Sequence, residues 1–313
     1  MTEPQPSISL CMLVYNEAAT LGRCLSSAKG LYDELIIVDT GSTDESVAVA
    51  SSYDAIITKA AWQDDFSLAR NLGLDLATKD WIFILDPDET ISPRDIPLIR
   101  ALTLNPAVDA YQFPTRNYTN SSFLIAFKPN PLDYEEGKGF RGFAESVKTR
   151  LFRNHIGLKF EGAIHELIDH MVTRRGLHGV KSSIPIHHDS GGSISPAATG
   201  KPYFYLRVCE KKAELSPNDG KAIWELAIAQ YCIGARAVSL KNMLRAVTLD
   251  GSDAERLFLI GILTQELGDK ERGQRYFEKA TCLNFPELTH IREEFKKFPE
   301  EERKGPPPKK EED

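Results

Sequence analysis

The 313-residue chain carries a formal net charge of −7 and is 42% hydrophobic and 27% charged, the make-up of a globular protein large enough for two domains. That acidic balance argues against nucleic acid as a general partner, because a phosphate backbone calls for a basic face. The start, MTEPQPSIS, lacks the basic and apolar regions of a secretory signal, and no apolar run reaches the roughly 18 residues of a transmembrane segment. Cys11, Cys24, Cys209, Cys232 and Cys282 are widely spaced and form no Cys-x-x-Cys pair. They read as reduced core residues of a cytoplasmic protein.

In chain order, Ile8 to Val14 is an unbroken apolar strand ending in Tyr15-Asn16-Glu17. The helix that follows places Leu21, Cys24, Leu25 and Ala28 on one face. A second strand, Leu35 to Val38, ends in Asp39, and Ser42-x-x-Glu45 has the form of a capping box opening a helix through about Ser52. Ala55 to Thr58 is a short strand, and Asp64-Asp65 opens a helix with Phe66, Ala69, Gly73 and Leu76 on one side. Next comes WIFILDPDETI, Trp81 to Ile91, an apolar strand that stops at Asp86, Asp88 and Glu89. This strand–helix alternation predicts an α/β domain with a doubly wound, mostly parallel sheet. In such sheets ligands bind at the carboxyl ends of the strands.

No Gly-x-Gly-x-x-Gly follows the first strand and no P-loop is present, so side chains carry the chemistry at the strand ends. An aromatic that can stack and an acid that can accept from an imide or a ribose suit a nucleoside. Closely spaced carboxylates suit Mg²⁺ or Mn²⁺ on its diphosphate. Blander roles compete: Asp39 as the acid approaching the helix near Ser42, Arg70 in a surface ion pair with Asp64 or Asp65, and the Asp86–Glu89 turn as the approach to a helix capped by Ser92 with Pro93 behind it.

The runs CMLVYNE, IIVDTGSTDES, DDFSLARNLGL and WIFILDPDE, in this order from Ile8 to Glu89, resemble a family 2 glycosyltransferase of GT-A fold. The resemblance implies that Tyr15, Asn16, Glu17, Asp39, Arg70 and Asp86 serve the nucleotide, with Asp39 on the base and Asp86 on the ribose. Asp88 is then the metal ligand, for Mn²⁺ or Mg²⁺, while Asn71 and Glu89 match without a uniform role. Further on, RLFRN, KFEGAIHE and IPIHHDSGG resemble the acceptor side of a subgroup that carries helical repeats. By resemblance Glu166 is the catalytic base at a helix start, with Glu161 and Asp189 in reserve, against a plain solvated acid at that helix N-terminus. A late histidine ligand falls on His188, although Asp189-Ser190-Gly191-Gly192 departs from the family's pattern and leaves His187 open; a core histidine is the other reading.

Between these parts, Asp109 to Thr115 alternates like a strand and Val147 to Phe152 reads as another. Asn117 to Gly142 lacks periodicity and reads as a long functional loop facing an acceptor. Beyond a linker at Gly191 to Pro202, Gly234/Gly268, Ala246/Ala280 and Leu249/Leu283 repeat at the 34-residue period of tetratricopeptide repeats. The earlier copy, with Trp224 and Tyr231, reads as having one residue missing or added, and a partial copy at about Tyr203 to Ser216 precedes it. The expected organisation is therefore a GT-A domain over residues 1–195, an all-α tetratricopeptide-like domain over 196–298, whose concave side would bind a protein or peptide, and a disordered charged tail over 299–313.

The function implied is metal-dependent, inverting transfer from a nucleotide-sugar, a UDP-sugar, to a glycan or protein acceptor. A nucleotidyltransferase of similar fold, or a repeat scaffold with a relic nucleotide domain, are the alternatives. The acidic Tyr15-Asn16-Glu17 in place of a basic triphosphate loop counts against the first, and the intact Asp39, Asp86 and Asp88 against the second.

Overall fold

The computed structural model describes residues 5–120, 127–188 and 201–283, and the described part falls into two compact units, divided between His188 and Lys201. The first unit is built on a sheet. Its opening elements are β1 (Ile8–Val14), α1 (Ala18–Ser27), β2 (Glu34–Asp39), α2 (Ser46–Ser51), β3 (Ile56–Lys59), α3 (Phe66–Leu76) and β4 (Trp81–Ile84). Then follow β5 (Glu89–Thr90), a 3₁₀ turn at Pro93–Asp95, α4 (Ile96–Leu102), β6 (Ala110–Thr119), β7 (Phe127–Pro129), β8 (Gly142–Arg153), α5 (Asp169–Arg174), β9 (Gly179–Lys181) and β10 (Ile186–His188).

The strand order is β3-β2-β1-β4-β8-β6-β10-β5, with β7 on β8 and β9 on β6. From β3 to β4 all pairs are parallel, and β8 enters antiparallel between β4 and β6. The apolar runs are unbroken because the sheet is covered on both faces. Leu10, Met12 and Phe83 pack with Leu21, Leu25 and Ile99 on one side, while Cys11, Ile36, Ile82 and Ile84 pack with Leu74, Ile168 and Val172 on the other. Gly73 lets α3 lie close to the sheet, since a Cβ there would stand 3.2 Å from Val38.

Several local expectations need correction. The Ser42-x-x-Glu45 capping box does not form: Glu45 is the N-cap residue of α2 without a side-chain cap, and the Ser42 hydroxyl accepts from Asn16 N at 2.9 Å. Helix α3 turns Leu74 inward and leaves Leu76 37% exposed, while Asp65 caps it by accepting from Leu68 N. The expected loop from Asn117 to Gly142 holds the end of β6, the whole of β7 and the start of β8, where Tyr118 stacks on Phe140 and is buried. The run is irregular in composition because its order comes from cross-strand pairing, which periodicity does not report. Cys232 and Cys282 are exposed, whereas Cys11, Cys24 and Cys209 are buried and free.

The second unit is all helical: α6 (Lys201–Leu215), α7 (Gly220–Cys232), α8 (Arg236–Asp250), α9 (Ala254–Glu266) and α10 (Lys270–Cys282). Helices α7 and α9 begin 34 residues apart, as do α8 and α10, so the earlier copy carries no inserted or missing residue. The N-caps Asp219 and Asp253 and the left-handed Gly234 and Gly268 keep the same period. Gly261 admits the Phe277 ring, which a Cβ would meet at 2.5 Å. Among the described residues no helix is long and apolar enough to cross a membrane. Asp189, the proposed linker through Gly200 and the charged tail lie outside the described residues.

Candidate active site

The carboxyl ends of β1, β2 and β4 lie side by side because these strands run parallel in register, Val14 beside Asp39 and Cys11 beside Ile84. Tyr15 leaves β1 with half its surface exposed, as a ring offered to a ligand must. Asn16 sits at φ 53°, and its Oδ1 accepts from Thr43 N at 2.7 Å and Asp44 N at 3.3 Å. Asn is one of the few residues that tolerates this backbone region. Glu17 precedes α1, and its backbone N donates to Ser46 Oγ at 2.7 Å. The buried Asp39 carboxylate accepts from Gly41 N at 3.3 Å and Ser42 N at 3.1 Å. Asp39 thus does serve the approach to α2, with lone pairs remaining on both oxygens.

The β4 end is built differently. Arg70, projecting from α3, donates from Nη2 to Asp86 Oδ1 at 2.7 Å and from Nε to Glu166 Oε1 at 2.5 Å. It pairs with neither Asp64 nor Asp65: Asp64 accepts from Trp62 Nε1 and Asp65 caps α3. Glu166 is only 11% exposed and lies in the segment before α5, which begins at Asp169, so it is neither a solvated acid nor the first residue of a helix. This segment is held in place by the Glu161–Leu167 bridge and by Asn71, whose amide both donates to Phe160 O and accepts from Phe160 N. Glu161 points away, paired with Arg174 near the surface.

Strand β8 supplies two residues the sequence reading did not single out. Arg150 is fully buried and grips Glu89 with both terminal nitrogens, at 2.5 and 2.6 Å, and donates to Thr115 Oγ1 at 3.0 Å. Lys148, two residues earlier across an irregularity in the β6–β8 register, stands 3.7 Å from Asp86 Oδ2, as does Arg150. The only signal in VKTRLF was two cations close together in a short run that ends in the buried Leu151 and Phe152. Burial pushes the Asp86 carboxyl up, but Arg70, Arg150 and Lys148 overcome it and hold the group well below the usual carboxylate range.

The Asp-x-Asp turn leads into β5, which pairs with β10 so that His188 stands opposite Glu89. His188 Nε2 is 3.4 Å from Asp88 Oδ2, and its Nδ1 is 2.9 Å from Asn117 Oδ1. The Asp88 carboxylate raises the His188 pKa, as expected for an imidazole facing an acid. His187 turns the other way, is buried against Tyr118 with Nδ1 2.9 Å from the phenol oxygen, and burial lowers its pKa to about 4. Among the described residues no three His, Cys, Asp or Glu side chains converge on one point. Asp88 and His188 nevertheless fit a divalent ion. Two adjacent ligands at about 2.1 Å and at right angles are about 3 Å apart, and a diphosphate with water is the usual remainder of the shell.

The profile of glycosyl transferase family 2 matches residues 9–170. A TPR repeat-containing protein of Synechococcus elongatus is 36% identical over 162 residues, 52% of this chain and 35% of that protein. The SPbeta prophage-derived glycosyltransferase SunS of Bacillus subtilis is 30% identical over 163 residues, 51% of this chain and 34% of the relative. The chain thus spans about a third of the length of these curated relatives. Among solved structures, S. aureus TarS 1-349 superposes at a TM-score of 0.45 with 11% identity, over 90% of this chain and 93% of that one. With over half its length covered by the family profile, the chain belongs to glycosyl transferase family 2.

Proposed function

We propose that this chain is a metal-dependent, inverting glycosyltransferase that moves the sugar of a UDP-sugar to a hydroxyl of a glycan or protein acceptor. The observation that carries the reading is Arg70, which holds Asp86 and Glu166 on one guanidinium. It thereby sets a nucleotide-side acid beside a shielded carboxylate able to take a proton. Residues 1–195 form the transferase domain in this reading, and 196–298 the repeats.

Tyr15 stacks on the uracil, Asp39 uses its remaining lone pairs on the base, and Asp86 accepts from the ribose. Asp88 and His188 would hold Mn²⁺ or Mg²⁺, which when bound supplies Lewis-acid charge against the leaving diphosphate. Glu166 accepts the proton of the acceptor hydroxyl as that oxygen bonds to the anomeric carbon and the bond to the diphosphate breaks. A single displacement inverts the configuration. The Arg70 contact keeps Glu166 aimed, and Phe160, with Arg70 stacked 5.5 Å over its ring, shields the pair from water.

Melting curves with UDP and UDP-sugars, each with Mn²⁺ and with EDTA, test the donor half, since a ligand that binds only the folded protein raises the melting temperature. The expected result is a UDP shift that needs Mn²⁺ and vanishes in Asp88→Ala, while Glu166→Gln retains the shift and loses transfer. A preference for triphosphates would favour a nucleotidyltransferase, and the absence of any nucleotide shift would leave only a scaffold.

A further inference from the structure

Asn117 lies beside His188 in the parallel pairing of β6 with β10, on the side away from Glu89. Its amide orientation is fixed by its surroundings. Nδ2 is 3.0 Å from Ala144 O, 3.4 Å from Thr115 O and 3.3 Å from Ser146 Oγ. Backbone carbonyls only accept, so the amino group must face them and Oδ1 must face His188 Nδ1 at 2.9 Å. Oδ1 also only accepts, so Nδ1 of His188 carries a proton. In the neutral ring, Nε2 then bears the lone pair, and Nε2 is the nitrogen directed at Asp88.

We infer that Asn117 is the positioning residue of the candidate metal site: it selects the His188 tautomer and ring orientation that present Nε2 beside Asp88. Histidine ligands depend on such a partner at their other nitrogen, because it fixes the tautomer before the ion arrives. The inference rests on the reading of Asp88 and His188 as ligands given above. Asn117 touches neither nucleotide nor ion in this scheme and acts only through His188.

The test measures Mn²⁺ affinity by electron paramagnetic resonance with UDP present, together with the ¹⁵N spectrum of His188 in metal-free protein, assigned with His188→Gln and recorded where the ring is neutral. Wild type is expected to show the Nδ1–H tautomer. Asn117→Ala should weaken Mn²⁺ binding by about 10- to 100-fold, the usual effect of losing such a partner. Asn117→Asp retains an acceptor for Nδ1–H and should hold Mn²⁺ nearly as wild type does, even if losing the contact to Ala144 O lowers its melting temperature. An Nε2–H tautomer in wild type, or an Asn117→Ala protein that binds Mn²⁺ like wild type, overturns the positioning role and leaves the transferase reading intact. A wild-type protein that binds no Mn²⁺ with UDP overturns that reading and the positioning role with it.

Discussion

The two rims of the site satisfy their polar groups in opposite ways. On the β1–β2 rim the partners are backbone amides: Asn16 takes those of Thr43 and Asp44, Asp39 those of Gly41 and Ser42, and Asp44 that of Ala18. On the β4–β8 rim the main partners are guanidinium groups, Arg70 for Asp86 and Glu166, and Arg150 for Glu89, with one backbone amide, that of Asp86, also donating to Glu89. Amide contacts of the first kind are part of the loop itself and cannot be exchanged without remodelling it. A guanidinium on its own flexible stem can trade one anion for another, so the second rim can yield to a charged ligand while the sheet stays put. The first rim is a fixed wall, whereas the second sets the exchangeable contacts of Arg70 beside the buried Arg150–Glu89 pair.

The sharpest way to break this contrast is at Arg150, the least exchangeable of the cations because it is 1% exposed. Arg150→Met leaves the Glu89 carboxylate buried without its bidentate partner, and breaking a buried pair from one side costs about 3–5 kcal/mol. Urea unfolding should show that loss. The double variant Arg150→Met/Glu89→Leu should recover most of it, because the uncompensated charge goes too. A single variant within about 1 kcal/mol of wild type would mean that the rim is plastic to its base.

Arg70 comes next. Arg70→Gln removes charge-assisted bonds to two acids, a loss of about 1.5–3 kcal/mol by the usual worth of such bonds. The pH dependence has a definite sign. A carboxyl whose folded-state pKa is depressed adds stability above its unfolded pKa of about 3.9, and that contribution fades as pH falls towards the folded value. Without Arg70 the Asp86 carboxyl rises, so acid unfolding should begin at a higher pH than in wild type. Coincident acid transitions would show that Arg150 and Lys148 hold Asp86 unaided.

How much of this was legible follows from sequence separation. The sheet, the helices on its faces and the acids at the strand ends were readable, because each depends on a run of neighbouring residues such as Ile8 to Val14 or Trp81 to Asp86. The anchoring of Asn16 was half visible: Asn16 was singled out, but its partners Thr43 and Asp44 lie in a loop 27 or 28 positions on. Arg150–Glu89 and Arg70–Glu166 span 61 and 96 positions, and nothing in local periodicity couples them. For the same reason Asn117 lay unnoticed in a stretch read as loop, since its meaning comes from the strand that pairs beside it.

The smallest effects belong to the fixed wall, where Asn16 does two jobs that substitution can separate. Asn16→Gly keeps the left-handed backbone and deletes the Oδ1 acceptor. The freed amides of Thr43 and Asp44 are near solvent, so the cost should be about 1 kcal/mol. Asn16→Ala deletes the same acceptor and adds the strain of a Cβ at φ 53°, about another 1 kcal/mol. Thermal unfolding of the pair therefore isolates the backbone term as their difference. UDP affinity of Asn16→Gly separates wall from contact: with Oδ1 committed to the neighbouring loop, the affinity should stay within a few-fold of wild type. A much larger loss in a protein that melts only slightly lower would put Asn16 on the nucleotide, and the first rim would then hold its ligand directly instead of only shaping the space for it.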